Sequence, residues 1–449
     1  MRLEKYVDSH MPDLLSDLQS LICQPSVSAT HEGIEQCARL VKRILISSGI
    51  KSEILRLKDA APVVYGELRS RSNPSKTLLF YNHYDVQPAE PLDLWNHGPF
   101  DATIVGNKIF GRGATDDKGE LITRIKAVSA YLKTDGDVPC NIKFVIEGEE
   151  ETGSAHMKAY LKKYRKKFSC DAVIWEFGYV DTKDRPIIGL GMKGLLFVEL
   201  FAKESVRDAH SSLAVLIKNP AWRLVEALST LRDSDGRILI KDWYKETQQF
   251  SKDDLKIISD EPFEIGAFKK EFGVKSLLGN RRGMAAKKAL VGDATCNIAG
   301  LVSGYTGKGA KTVLPGQALA KIDFRLVPNM DPAKQARRLR DHLKSKGFDD
   351  IGVRVFHGLA AARTSPTDPF VSNVRDAADR VFGRSILSIS NAGTGPMHHF
   401  AEVLGAPCIS IGGTFLFSRI HSPNEFARID LLCKTTKCMC CIMENFGRF

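Results

Sequence analysis

Three apolar runs of strand length end in groups that can do chemistry. Thr77-Leu-Leu-Phe-Tyr-Asn-His83-Tyr-Asp85 closes on a histidine and an aspartate two residues apart. Asn141-Ile-Lys-Phe-Val-Ile-Glu-Gly-Glu-Glu150 closes on acids, with Glu151 next in the chain. Asp171-Ala-Val-Ile-Trp-Glu176 ends in a further carboxylate. A Gly-rich stretch between the first two runs, Gly111-Arg-Gly-Ala-Thr-Asp116-Asp117-Lys-Gly119, adds two more acids. In an open parallel sheet the ligand crevice lies beyond the carboxyl ends of the strands. Such a sheet would pool all these groups. Pooled carboxylates repel one another and shift their pKa values. A divalent metal relieves that repulsion, and His with carboxylate ligands suits zinc or manganese.

The rest of the pattern agrees with such a sheet. Helical spacing covers Pro12 to Cys23, Gly33 to Ser48 and Asp117 to Leu132, alternating with the strand runs. Strand-helix alternation predicts a mostly parallel sheet with helices on both faces. From about Gly194 the order becomes βαββαβ, with strands expected at Leu195–Phe201, Asn297–Val302, Ala318–Leu326 and Gly352–Phe356. Asp331-Pro332 marks a helix start between the last two. That order predicts a ferredoxin-like plait. Its middle, about Asp233 to Ala294, is long and charged and reads as an insertion of unassigned structure. After Thr364 the strand-helix alternation resumes. The expected organisation is a catalytic domain in two segments, residues 1–193 and 361–449, with the plait inserted as residues 194–360.

The 449 residues are 43% apolar and 26% charged, the mix of a soluble globular protein. No run of about 18 apolar residues occurs, so no membrane association is expected. The N-terminal residues Met1 to Ser9 lack the apolar core of a secretory signal, which predicts a cytoplasmic protein. The net charge of +11 is scattered among acids, so no nucleic-acid partner is expected, although local attraction of an anionic substrate fits it. Ten irregularly spaced cysteines fit no zinc-ribbon pattern. The group Cys433, Cys438, Cys440 and Cys441 reads as small hydrophobes on a terminal helix.

Individual residues sharpen the picture. His83 and Asp85 share one side of an extended chain, and a metal-bound imidazole usually gives its other N–H to a carboxylate. Of Asp116 and Asp117, one can bridge two metals and the other can cap the following helix. Within the Glu149–Glu151 run one carboxylate can bind metal while its neighbour takes a proton from water. His421, in Arg419-Ile-His-Ser-Pro-Asn-Glu425, and the pair His398-His399 compete as a late ligand.

These segments together resemble the M20 family of metallopeptidases, which includes carboxypeptidases, carnosinase-type dipeptidases, acetylornithine deacetylases and succinyl-diaminopimelate desuccinylases. The resemblance covers nearly the whole chain. It implies an α/β fold, a zinc-peptidase-like catalytic domain with an inserted lid and dimerisation plait. It implies two divalent ions per subunit, zinc with manganese or cobalt as alternatives. Their ligands would be His83, Asp116 as bridge, Glu151, Glu176 and His421. Glu150 matches the general base and Asp85 the acid that orders the site behind the ligands. His210, in Asp208-Ala-His210-Ser, matches a residue that reaches the active site of a dimer partner and stabilises an oxyanion. Arg325 matches a holder of the substrate carboxylate. Asn297, Gly393, Thr394 and Gly395 are further substrate-contact candidates. The long insertion favours the dipeptidase-like branch. The implied activity is hydrolysis of a peptide or amide bond beside a free carboxylate. Its substrate would be a small peptide, or alternatively an N-acyl amino acid, and the enzyme would be a homodimer; an inactive metal-binding protein is the minor alternative.

Overall fold

The computed structural model describes residues 2–448, and these form two compact units. The first runs up to Gly191 and takes in Arg363–Ile389 and the chain from Gly395 onward. The second comprises Met192–Ala362 and the short segment Ser390–Thr394.

The first unit is built on an eight-stranded sheet. Its order is Lys51–Leu55, Val63–Leu68, Asn141–Glu147, Thr77–His83, Ala172–Trp175, Cys408–Ser410, Ile187–Gly189 and Ile386–Ser388. The four strands from Asn141–Glu147 to Cys408–Ser410 run parallel, and their residues are almost wholly buried, as strands covered on both faces should be. The two strands at the Lys51 edge run antiparallel, as does the single pair Ser410–Gly189, so the sheet is mixed. Register decides what the strands present at their ends. His83 pairs with Glu147 and Phe80 with Ile174, so the three apolar runs finish at one level.

The helix Lys118–Thr134 departs from the one-faced helix that its sequence spacing suggests. It is buried on nearly every face, between the helices Arg2–Ser9, Met11–Cys23 and Ile429–Gly447 on one side and the sheet on the other. Its polar residues are accommodated by bonding: Lys118 Nζ donates to the carbonyls of Leu21 (2.8 Å) and Gln24 (2.9 Å). Cys438, Cys440 and Cys441 lie buried on Ile429–Gly447, and all ten cysteines are free thiols.

The second unit contains a four-stranded antiparallel sheet in the order Asn297–Ser303, Gln317–Leu326, Gly194–Lys203 and Gly352–Leu359. With the helices Pro220–Ser229 and Pro332–Ser345 this is the ferredoxin-like plait. Asp331 accepts from Lys334 N and Pro332 follows it, the helix start anticipated from sequence. One sheet face packs on Leu224, Leu339 and Leu343. The insertion folds into three short helices, Lys252–Asp260, Ile265–Glu271 and Gly283–Gly292.

Candidate active site

The site of the first unit grows from the strand ends. Beyond Thr77–His83 the chain carries Asp85, whose carboxylate accepts from the backbone N–H of Glu150 (3.2 Å) and Glu151 (3.0 Å). Asp85 therefore fixes the turn that follows the Asn141–Glu147 strand. Its backbone carbonyl lies 3.0 Å from His83 Nδ1 and its carboxylate 3.4 Å from that nitrogen. The imidazole is thereby oriented with Nε2 turned to Asp116 Oδ1, 3.1 Å away.

Asp116 comes from the Gly-rich loop. Gly113 there has φ +81°, and a Cβ on it would lie 2.5 Å from Val86, so glycine is needed on both counts. The two oxygens of Asp116 face different histidines: Oδ1 faces His83, and Oδ2 lies 3.3 Å from His421 Nε2. His421 Nε2 is also 3.0 Å from Glu151 Oε2, which accepts from Gln87 Nε2 at 2.9 Å. His83, Asp116 and Glu151 offer ligand atoms all within 4.8 Å of one another. Glu176 accepts from the Trp175 indole through Oε1, while its buried Oε2 has no hydrogen-bond partner among the described residues.

Asp117 sits at the start of the helix without capping it. Its Oδ2 instead accepts from Asn82 Nδ2 (2.7 Å) and His83 N (3.1 Å). The capping role open to one of the two aspartates is therefore not used; the helix start is buried, and the nearest donors come from the neighbouring strand. His398 and His399 lie on the helix Met397–Leu404, 3.8 and 3.9 Å from Glu402, whereas His421 reaches both Asp116 and Glu151.

The electrostatics are those of a crowded acid cluster. Burial, with repulsion from Glu151, Asp116 and Asp85, raises the Glu150 carboxyl well above the usual range despite the help of His83. Burial and then Glu150 do the same to Glu176. Asp116 goes the other way: burial opposes its charge, but bonding to His421 and His83 outweighs this and lowers its pKa. His83 is buried, which disfavours its charged form, yet Asp116 and Asp85 raise its pKa well above normal. Bonds to Asp116 and then Glu151 push His421 up to about 10. The acids outnumber the imidazoles, and the donor set of two imidazoles and several carboxylates suits a zinc-like divalent ion. The unpartnered Glu176 Oε2 adds a free ligand atom. The residues fit a metal.

A sequence profile of the family described as Peptidase family M20/M25/M40 matches residues 79–445. The chain belongs to this family. It is a hydrolase acting on peptide C–N bonds. Beta-Ala-His dipeptidase of Homo sapiens is 30% identical to it over 378 residues, which are 81% of this chain and 73% of that protein. Cys-Gly metallodipeptidase dug1 of Schizosaccharomyces pombe is 27% identical, covering 99% of this chain and 98% of the relative. Among solved structures, the M20 family metallo-carboxypeptidase Sso-CP2 from Sulfolobus solfataricus superposes with a TM-score of 0.93 and 37% identity, over 97% of this chain and 99% of that one. Similarity to dipeptidases and a carboxypeptidase favours the peptidase reading over the N-acyl-amino-acid deacylase alternative.

The remaining sequence candidates belong to the second unit, apart from Gly395. His210 is exposed; its backbone pairs with Val313 and its ring Nδ1 meets Ser212 Oγ (2.8 Å) and Ser212 N (3.2 Å). Arg325 Nη1 donates to Thr394 Oγ1 at 2.6 Å, and Gly393 N donates to Asn391 Oδ1 at 2.9 Å. Asn297 Nδ2 donates to Asp323 Oδ2 at 2.7 Å. Sequence reading gave no role to Arg112 and Glu425, which form a buried ion pair at the Asp116 loop. The only signal for Glu425 is an acid four residues after His421.

Proposed function

We propose that this protein is a dinuclear metallopeptidase that cleaves the peptide bond of a dipeptide, or of a short peptide's last residue, beside a free carboxylate. The observation that carries the reading is the bifacial Asp116, with one oxygen towards His83 and the other towards His421. His83 and Glu176 would hold one ion, Glu151 and His421 the other, and Asp116 would be shared between them. The ions are zinc, with manganese or cobalt as alternatives; when bound they act as Lewis acids on the carbonyl and lower the pKa of water.

The protein's own groups do the rest. Glu150 takes the proton of the attacking water and delivers it to the leaving amine. Asp85 holds His83 and the Glu150–Glu151 backbone in place. Arg325 anchors the substrate carboxylate with a planar donor pair. Asn297 and the Gly393–Thr394–Gly395 loop contact substrate. His210 stabilises the oxyanion in the site of a partner subunit. The homodimer is supported by apolar side chains of the second unit that stand in water: Val206, Val215, Leu216 and Trp222 are 93%, 86%, 82% and 68% exposed. A cytoplasmic location is supported by the ten free thiols.

Elemental analysis followed by amine-release assays tests the reading. We expect two divalent ions per chain, and release from dipeptides that stops with chelator and returns with zinc. Release from N-acyl amino acids but not from dipeptides would replace the proposal with the deacylase.

A further inference from the structure

The loop that carries His421 is held in an unfavourable backbone shape. Arg419, His421 and Asn424 have φ of 59°, 59° and 62°, in the left-handed region that non-glycine residues rarely occupy. Such residues persist only where their surroundings over-determine them. What over-determines this loop is a set of bonds to the other ligand-bearing segments.

Glu425 ends the loop and is 1% exposed. Its carboxylate accepts four hydrogen bonds from one stretch of chain. Oε1 takes the N–H of Thr115 (3.1 Å) and of Asp116 (3.2 Å). Oε2 takes the N–H of Gly113 (3.1 Å) and Arg112 Nη1 (2.9 Å). In return Gly111 N donates to the Glu425 carbonyl at 3.0 Å. Arg112 extends the contact. Its Nη2 donates to the Pro88 carbonyl (3.1 Å), just beyond the His83–Asp85 segment, its Nη1 approaches the Ser422 carbonyl (3.5 Å), and its guanidinium lies 5.4 Å from the Trp95 ring centroid. Asn424 completes the set, accepting from Asn96 N (2.7 Å) and donating to the Leu94 carbonyl (2.8 Å).

A buried carboxylate with one partner would be a costly ornament. This one spends both oxygens on the loop that presents Asp116, four residues after the histidine that faces Asp116. We infer that Glu425, with Arg112, is a positioning residue that locks the His421 loop to the Asp116 loop, so that His421 reaches the Asp116–Glu151 pair only while this buried clamp is closed. The inference rests on the proposed ligand roles of Asp116, Glu151 and His421. It assigns Glu425 no contact with metal or substrate.

The consequence is selective. Loosening the clamp frees the strained loop that carries His421 and takes one or two bonds from the Asp116 loop, while His83 and Glu176 stay at their strand ends. The ion held by His421 should therefore weaken much more than the other. Glu425→Gln keeps the size of the side chain but turns an amide N–H against two of the four donors. Zinc titration of the metal-stripped full chain, against a chelating indicator, should show one of two binding steps lowered by at least tenfold and the other within about threefold of wild type. The metal-free variant should unfold at a lower temperature, because the buried Arg112 charge loses its carboxylate, so the readout is the difference between the two steps at a temperature where both proteins are folded. Arg112→Lys keeps the charge but loses the fork, and should lower the same step by less. It serves as the probe if Glu425→Gln is not obtained folded.

Two unchanged binding steps in Glu425→Gln would overturn the inference. So would equal weakening of both steps, which is what a merely structural ion pair predicts. His421→Ala separates this from failure of the ligand assignment. If His421→Ala itself keeps both steps, the proposed ligand set is wrong and the clamp falls with it. If His421→Ala loses one step while both clamp variants lose none, only the clamp is wrong.

Discussion

The candidate groups of the first unit and those of the inserted unit are held in opposite ways. His83 is fixed at Nδ1 by Asp85 and meets Asp116 at Nε2; Asp116 faces two imidazoles; Glu151 is pinned through its backbone by Asp85 and through its side chain by Gln87. In the inserted unit the side chains are held more lightly among the described residues: Arg325 Nη1 donates to Thr394, Asn297 Nδ2 donates to Asp323, and the His210 ring meets its near neighbour Ser212. Under the proposed roles the difference follows from what each set must do. A ligand set has to stand in place before the ion arrives, because pooled acids left to themselves would protonate or turn to solvent. A substrate contact has to exchange a weak internal partner for the substrate, so a single replaceable bond serves it better.

The comparison breaks most visibly at Asp116. Asp116→Ala should strip the site, with metal content falling sharply by elemental analysis and turnover falling to background. Glu150→Ala should instead keep its metal and lose about 10²–10⁴-fold in rate, the usual worth of a general base. Wild-type turnover in Glu150→Ala would remove that residue from the mechanism. Retention of both ions by Asp116→Ala would remove the bridge.

The exposed side of the comparison is tested by mixing subunits. His210→Ala and Glu150→Ala should each be nearly inactive alone. After verified subunit exchange, mixed dimers carry one site with both wild-type groups, and about a quarter to a half of the activity expected of wild-type dimers should return. No recovery, or a fully active monomer in solution, would defeat the shared site. A smaller effect is expected at Arg325. A charge-assisted bond is worth about 1.5–3 kcal/mol, so Arg325→Met should raise KM by roughly 10–100-fold with a lesser change in kcat. An unchanged KM would place the carboxylate elsewhere.

Which parts of this arrangement sequence could reveal follows from the same contrast. Strand ends are legible because the period of two and the apolar runs mark where each strand stops, and His83, Glu150, Glu151 and Glu176 lie at or just past those stops. The plait was legible from element order. The antiparallel edge of the first sheet was not, since Lys51–Leu55 is a half-exposed strand whose direction depends on its partner Val63–Leu68. The three helices of the insertion are short and largely exposed, so they carry little apolar stripe to read. The role of Asp117, and Glu425 altogether, escaped for another reason. Their partners are mostly backbone N–H groups, with Asn82 and Arg112 distant in sequence, and such bonding leaves no local spacing to read.

The smallest effect sharpens the claim that the first unit holds its acids by burial. Glu147 ends its strand 1% exposed; its Oε1 accepts from the Tyr81 hydroxyl and from Ser154 Oγ (2.9 Å), and its Oε2 has no partner. Burial pushes its pKa up to about 8, opposed by the Tyr81 bond and aided by Asp85 and Glu149. The folded protein therefore binds this proton more tightly than the unfolded chain. Its contribution to stability is fully present below the unfolded value near 4.5 and is lost as pH rises through about 8. Glu147→Gln copies the protonated form in shape and cannot ionise. Denaturant unfolding of the metal-free proteins should find the two alike near pH 4.5. The variant should be more stable by on the order of 1–3 kcal/mol above pH 8, with the gap opening between those limits. A gap of constant size across that range would mean that Glu147 does not titrate with folding, and that packing around Tyr81 and Trp175, not the buried charge, sets the cost of this position.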